Sequence, residues 1–386
     1  VNLRDVRLKA MFEQMKKDPA VKLKLASSYA GIANYWKFYD GETKQLEKHG
    51  VLADKQTQEA AFARWAQDKP EFAGILHDYE ASYKAWTPYA KQRVYLNEGI
   101  LGSPVAAFAA SLIGVERALV TPNAPKGSAE QAIEAANKAR TSFLESENKP
   151  SDQQILAATC RMFYTDISKD QQPIGFYEAL KAKFGSLNED NTYRLWAASL
   201  MSNTMIFDDA KWKAFVSNPD AVTLQQDPVF AYANAFIKSY VSKYLPLYNQ
   251  FITKNNDLGR AYLKGVMQMS PNANRYPDAN FTMRLSYGQV KPYSPRDAVH
   301  YDYVTTMKGV IEKYVPGDYE FDLPENYLDL YKKKDFGQYK DAKRNDIVVG
   351  FITTNDITGG NSGSPVINGN GELIGLAFDG NYEALN

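Results

Sequence analysis

Thr358-Gly359-Gly360-Asn361-Ser362-Gly363-Ser364-Pro365 is a polar, glycine-dense octet set between two apolar runs. The run before it, Ile347-Val348-Val349-Gly350-Phe351-Ile352, is β-branched and predicts a strand. After it, Val366-Ile367 and Leu373-Ile374-Gly375-Leu376-Ala377-Phe378 flank Asn368-Gly369-Asn370-Gly371, a strong hairpin signal. A tight Gly-x-Ser-Gly loop between strands can present a hydroxyl and aim backbone N–H groups at one point. Acyl transfer needs both, a nucleophile and donors placed where a carbonyl oxygen becomes negative. Glycine permits positive φ and close approach of the backbone to a substrate. The competing reading is a Gly/Ser turn with no chemistry.

Gly360-Asn361-Ser362-Gly363-Ser364-Pro365 resembles the nucleophile loop of chymotrypsin-like serine peptidases, usually Gly-Asp-Ser-Gly-Gly-Pro. On that match Ser362 is the nucleophile, and the N–H groups of Gly360 and Ser362 form the oxyanion hole. Asn361 departs from the pattern, so the usual pairing of an aspartate with an N-terminal amine is not available. Ser364 replaces the second glycine.

The 386 residues predict two or three domains. A hydrophobic content of 44% and a charged content of 23% fall in the range of globular proteins. With 45 basic and 45 acidic residues, no charged field argues for nucleic acid. The single cysteine, Cys160, lies in a helical pattern and reads as a small packing residue. No apolar run is long enough to span a membrane. Val1-Asn2-Leu3-Arg4 is no signal peptide, and both ends read as cut from something longer.

Residues 1–270 carry helical periodicity. Leu8, Met11, Phe12 and Met15 fall on one face, Asp18-Pro19 restarts the helix, and Leu25, Tyr29, Ile32 and Trp36 form the next stripe. Asn34 is turned about 200° from Ile32, off that stripe, so it borders either solvent or an opening. Phe72, Ile75, Leu76, Tyr79, Tyr83 and Trp86 make a further stripe, and Ser151 is the expected cap of a helix through Phe163. Pro228 opens a helix that Pro246 kinks or ends. Past Ser270 the character changes. Phe281, Met283, Leu285 and Tyr287 alternate with polar residues, which predicts a strand, and one helix is expected around 298–313.

A serine nucleophile needs a base, and the chain has three histidines. His49 sits at a helix end and His77 inside a helical stripe. His300 lacks the surroundings of a catalytic histidine. The three have no paired ligand spacing, so no metal site is expected, and no phosphate-cradling motif precedes a helix. Lys332-Lys333-Lys334 reads as a solvated face. The base and its orienting carboxylate are therefore expected outside this sequence.

Helices followed by such a serine loop are similar to the bacterial dipeptidyl-peptidases 7 and 11, chymotrypsin-like serine exopeptidases with a helical domain inserted between two barrels. Three stretches carry the likeness: Tyr29 to Lys37, Tyr276 to Leu285, and Thr358 to Pro365 continuing to Phe378-Asp379-Gly380-Asn381. The resemblance implies an α+β chain with a large α-helical lid over 1–270. Over 271–386 it implies the second, serine-bearing β-barrel of a chymotrypsin-like fold, truncated at its C-terminus. It implies Ser362 as nucleophile, Asn34 and Asp379 on the substrate's free α-amino group, and Gly380 at the S1 pocket. Members with arginine at that last position prefer acidic P1 residues and members with glycine apolar ones, which places this chain in the dipeptidyl-peptidase 7 branch. The family's His and Asp belong to the first barrel, so no residue here inherits them. No cofactor is implied. The resemblance also implies peptide substrates with free N-termini, a homodimer, and a periplasmic or cell-surface location in a Gram-negative bacterium. Two rival readings are an endopeptidase of the same fold and a non-catalytic peptide-binding protein with a vestigial serine loop.

Overall fold

The computed structural model describes residues 1–122, 125–273, 275, 282–318, 320–381 and 383. The chain divides into two compact units, Val1–Ala273 and Asn274–Asn386.

The first unit is helical, and several of its helices begin where a polar side chain satisfies an open N–H group of the first turn. Helix α1 spans Asn2–Met15 and α2 spans Pro19–Lys48, with Asp18 as cap accepting from the Ala20 N–H at 2.8 Å. Helix α3, Val51–Ala66, follows Gly50, whose φ of 62° makes the turn. The helix Lys149–Asp166 is capped by Asn148 through the Ser151 N–H, so the expected cap, Ser151, sits inside the first turn instead. Pro228 opens the helix Pro228–Ser239 as the sequence predicts. The helix that Pro228 opens ends before Pro246: a π-helical turn at Tyr240–Tyr244 follows it, and Pro246 stands in the first turn of the next helix, Leu245–Met269. The last helix of the unit ends at Met269, within the expected limit, and among the described residues no single helix is long and apolar enough to cross a membrane.

One large core holds this unit together. Leu156, Cys160, Phe163, Trp196, Phe230 and Phe236 are among its fully enclosed side chains. Cys160 packs there as expected, and burial pushes its thiol pKa up. A smaller cluster of Ala10, Met11, Met15, Leu25 and Ile155 ties α1 and α2 to the body. A third packs Phe62, Ala66, Phe72 and Ile75 against the last helix. There a Cβ at Gly265 would meet the Phe62 ring at 2.6 Å, so this close approach requires glycine. Between Leu25 and Phe62 no residue is buried.

Buried carboxylates inside the unit differ in how well they are paired. Asp227 accepts from the Met205, Val229 and Phe230 N–H groups and from the Thr204 hydroxyl. Asp152 accepts from the Ser103 hydroxyl at 2.5 Å and the Val105 N–H at 2.7 Å. Beside Asp152, the carboxyl of Glu147 is buried and neither oxygen has an aligned hydrogen-bond partner. Burial first, and then the negative charge of Asp152, push the Glu147 pKa up; Lys24 and Lys149 oppose the shift. Burial also raises Asp152, against its hydrogen bonds and the Arg7 guanidinium.

Among its described residues the second unit contains three small antiparallel sheets. Strands β1, Tyr293–Arg296, and β2, Val299–Tyr301, form the first. In the second, β5, Asp346–Phe351, lies between β3, Val304–Thr306, and β4, Lys340–Asp341. Strands β6, Pro365–Ile367, and β7, Leu373–Leu376, make the third. Among the described residues these strands do not close into a barrel. The helix expected around 298–313 is confined to Met307–Glu312, because Val299–Tyr301 and Val304–Thr306 pair as strands. Asp346 starts that short helix by accepting from the Lys308 N–H at 3.0 Å. The strand expected through Phe281, Met283, Leu285 and Tyr287 does not form in its described part. Met283, Leu285 and Tyr287 are almost fully exposed, so the alternation has no buried face to serve. Phe281 and the stretch 276–280 lie outside the described residues. Phe336 is the one buried apolar side chain among the described residues of this unit.

Candidate active site

The octet is a loop clamped at both ends. Downstream, the Asn368-Gly369-Asn370-Gly371 turn folds β7 back on β6. Asn368 Oδ1 accepts from the Asn370 and Glu372 N–H groups, and Gly371 takes φ 80°. The pairing continues beyond the strands. The Gly363 N–H donates to the Ala377 carbonyl at 2.7 Å and the Ala377 N–H to the Ser364 carbonyl at 2.8 Å. This brings Ser362 beside Phe378, whose carbonyl accepts a 3.5 Å hydrogen bond from the Ser362 hydroxyl. Asp379 and Gly380 follow directly, and Asp379 Oδ1 accepts from the Gly380 N–H at 2.8 Å. Three residues singled out in the sequence, Ser362, Asp379 and Gly380, thus lie together in this segment. Ser362 and Asp379 are both exposed.

Upstream, the loop closes on itself. The Asn361 N–H donates to the Thr358 carbonyl at 3.1 Å, and Asn361 Oδ1 accepts from the Thr358 N–H at 3.0 Å. The Ser364 N–H donates to the Asn361 carbonyl at 2.9 Å. Gly360 takes φ 98° and Gly363 φ 81°, a backbone region that side chains disfavour. The N–H groups of residues 361, 363 and 364 are therefore engaged. Those of Gly360 and Ser362 have no acceptor among the described residues. Gly360 and Ser362, on either side of Asn361, thus carry N–H groups left free by the loop's own bonding, and free donors near a serine are one thing that stabilising a negative oxygen requires.

His300 is not a partner of Ser362. It lies on β2, and its Nδ1 is 3.2 Å from the Ser294 hydroxyl across the β1–β2 pair. Nearby, the Arg344 guanidinium holds the Asp302 carboxyl below the usual carboxylate range. The Tyr301 hydroxyl donates to Glu383 at 2.6 Å, and that bond raises the tyrosine's pKa. No cluster of three or more His, Cys, Asp or Glu is placed to hold a metal among the described residues.

Asn34 lies on α2 in the helical unit, exposed as its position off the apolar stripe predicts. One turn on, Tyr35 and Tyr39 stack at 6.4 Å, and the Arg4 guanidinium covers both rings at 5.1 and 5.7 Å. Sequence reading missed the reciprocal Thr358–Asn361 closure. Its signal is an Asn three residues after a Thr in a glycine-rich turn, a spacing that suits side-chain-to-backbone bonding.

The Peptidase S46 family model matches residues 1–386. The chain belongs to the Peptidase S46 family. Among its relatives, an Asp/Glu-specific dipeptidyl-peptidase of Flavobacterium psychrophilum is 36% identical over 99% of this chain and 52% of its own length. A dipeptidyl-peptidase 7 of Phocaeicola vulgatus is 34% identical over 100% of this chain and 53% of its own. The crystal structure of Porphyromonas endodontalis DPP11 in complex with the dipeptide Arg-Glu superposes with a TM-score of 0.80 at 26% identity. That match covers 99% of this chain and 54% of the other. The S46 chain thus spans about half the length of the relatives it matches.

Proposed function

We propose that this chain is the nucleophile-bearing part of a serine dipeptidyl-peptidase that releases dipeptides from the free N-termini of peptides. The observation that carries the reading is the pair of open N–H donors at Gly360 and Ser362 near the exposed Ser362 hydroxyl. Membership of a family whose relatives are named dipeptidyl-peptidases supports it. In this mechanism Ser362 Oγ adds to the carbonyl carbon after the second residue while its proton passes to a base. The carbonyl oxygen becomes negative and is received by the Gly360 and Ser362 N–H groups. Collapse breaks the C–N bond, the leaving amine takes the proton, and water then hydrolyses the acyl-enzyme. The base and its orienting carboxylate come from polypeptide beyond this sequence. In keeping with that, His300 is engaged by Ser294, and the relatives are about twice as long. The strands of the second unit then belong to the second barrel of a chymotrypsin-like fold.

Asn34 and Asp379 receive the substrate's ammonium group, an amide and a carboxylate rewarding the charge that only a free N-terminus carries. Gly380 lies next to Asp379 and brings no cation to the S1 pocket, so an apolar P1 side chain is preferred. Names of the relatives point both ways on P1, and the reading rests on Gly380 alone. The enzyme acts as a periplasmic or cell-surface homodimer.

Full-length enzyme, given matched peptides with free and acetylated N-termini, should release dipeptides from the free ones only, and Ser362→Ala should abolish release. Equal cleavage of both peptides means an endopeptidase. No turnover, together with no labelling by a serine-directed phosphonate, means a vestigial loop. The 386-residue chain alone should show no robust Ser362-dependent turnover.

A further inference from the structure

The loop around Ser362 has one side chain that holds its shape from within. Asn361 bonds Thr358 twice, through its own N–H at 3.1 Å and through Oδ1, which accepts the Thr358 N–H at 3.0 Å. A reciprocal pair of this kind closes a ring across Gly359 and Gly360, the two residues with least conformational restraint of their own. The ring spans Gly360 at φ 98° and leaves that residue's N–H open. On the other side, the Asn361 carbonyl accepts the Ser364 N–H at 2.9 Å, so the same residue also frames the turn that carries Ser362. Asn361 itself is half-buried, so its bonds are partly sheltered from water.

We propose that Asn361 is a positioning residue for the oxyanion donors: its bonds to Thr358 and Ser364 set the Gly360 and Ser362 N–H groups in place, while the pairing to Ala377 holds the downstream end of the loop. This rests on the serine-nucleophile reading above. An aspartate at this position needs a cation to neutralise it, whereas the Asn361 amide needs only an acceptor geometry that Thr358 already meets. The serine loop is therefore closed as soon as the chain folds, with no step that has to deliver a charged partner. Donors held this way matter most when the carbonyl oxygen becomes negative, so their loss should appear in kcat rather than in KM.

The test uses full-length enzyme and a chromogenic dipeptidyl anilide, with Asn361→Ala, Asn361→Asp and Ser362→Ala. Asn361→Ala should lower kcat about 10- to 100-fold with KM within about twofold, short of the loss of a donor outright. Affinity for a dipeptidyl boronic acid, which mimics the tetrahedral adduct, should fall in step. Asn361→Asp keeps the acceptor for the Thr358 N–H but adds an unneutralised negative charge, so its kcat should lie between those of wild type and Asn361→Ala. The proposal is overturned if Asn361→Ala keeps wild-type kcat, or if it raises KM and lowers Tm while kcat holds. It is also overturned if Asn361→Asp is as impaired as Asn361→Ala. Turnover that survives in Ser362→Ala overturns the nucleophile reading itself, and this proposal with it.

Discussion

Glu147→Gln should flatten the pH dependence of the helical unit's stability. Glu147 is buried, its two oxygens lack aligned partners, and it faces the buried Asp152. Its pKa is pushed up from 4.5 to about 9 by burial and by the Asp152 charge, so the folded carboxyl holds its proton through neutral pH. The unfolded chain has released that proton above its ordinary pKa. Folded protein then binds one proton more than unfolded protein, and stability falls as pH rises. The contribution is complete below pH 4.5 and is lost on the way to about pH 9. Asp152, raised to about 6, adds a slope of the same sign only at lower pH. Between about pH 6.5 and 8.5 one proton is worth ~1.4 kcal/mol per pH unit, so wild type should lose about 3 kcal/mol. At roughly 2–4 °C per kcal/mol this is a fall in Tm of roughly 6–12 °C. The glutamine has nearly the same shape and no charge to bury. Helical circular dichroism followed through thermal unfolding at three pH values measures the slope in each protein. Parallel slopes in wild type and Glu147→Gln would refute the reasoning, since the proton would then reside elsewhere.

In full-length enzyme, Gly380→Arg should raise the ratio of kcat/KM for acidic over apolar P1 at least about tenfold, ~1.4 kcal/mol of differential binding. A ratio that does not move would mean Gly380 does not govern P1 choice. Asp379→Asn should lower kcat/KM for free-amine substrates by roughly 2–5 kcal/mol, as expected for cutting one side of a desolvated charge pair. Gly265→Ala should destabilise the helical unit by about 1–3 kcal/mol, because a methyl there meets the Phe62 ring at 2.6 Å. Denaturant unfolding reads that change, and an unaltered midpoint would show that the ring yields freely.

Periodicity made the helical half legible. Leu25 and Phe163 are where a helix stripe needs them, and Asp18-Pro19 and Pro228 start helices through local chemistry alone. The serine hairpin was legible for the same reason, since its turn residues impose their geometry on whatever flanks them. Met283, Leu285 and Tyr287 misled because alternation reports a strand only when one face is covered, and here neither is. Pro246 marks where one helix gives way to the next, because a proline in a first turn has no N–H bond to lose. At the site, Ser362, Asp379 and Gly380 could be placed together from a hairpin and a few residues of extension. The Asn361–Thr358 closure leaves no periodic trace, and its one signal, an Asn three residues after a Thr in a glycine-rich turn, was passed over. The buried Glu147 escaped notice likewise: a lone acid at a helix end reads as solvated until the packing around it is known.

The stretch between Leu25 and Phe62 has the makings of an early-melting segment. Its two helices hold themselves by main-chain hydrogen bonds, by surface pairs such as Lys44 with Asp40, by the Arg4 guanidinium over Tyr35 and Tyr39, and by Tyr29 and Ile32 half-buried against the core, with no fully buried side chain within the stretch. Its amide protons should therefore exchange with solvent long before those around Phe230, and a protease should nick it first. Asn34 rides on this stretch. On the proposed reading, every substrate must still it and every product must set it loose again. An amine held by so loosely tethered an amide is gripped briefly, and a short grip suits an enzyme that must drop each dipeptide before it can take the next.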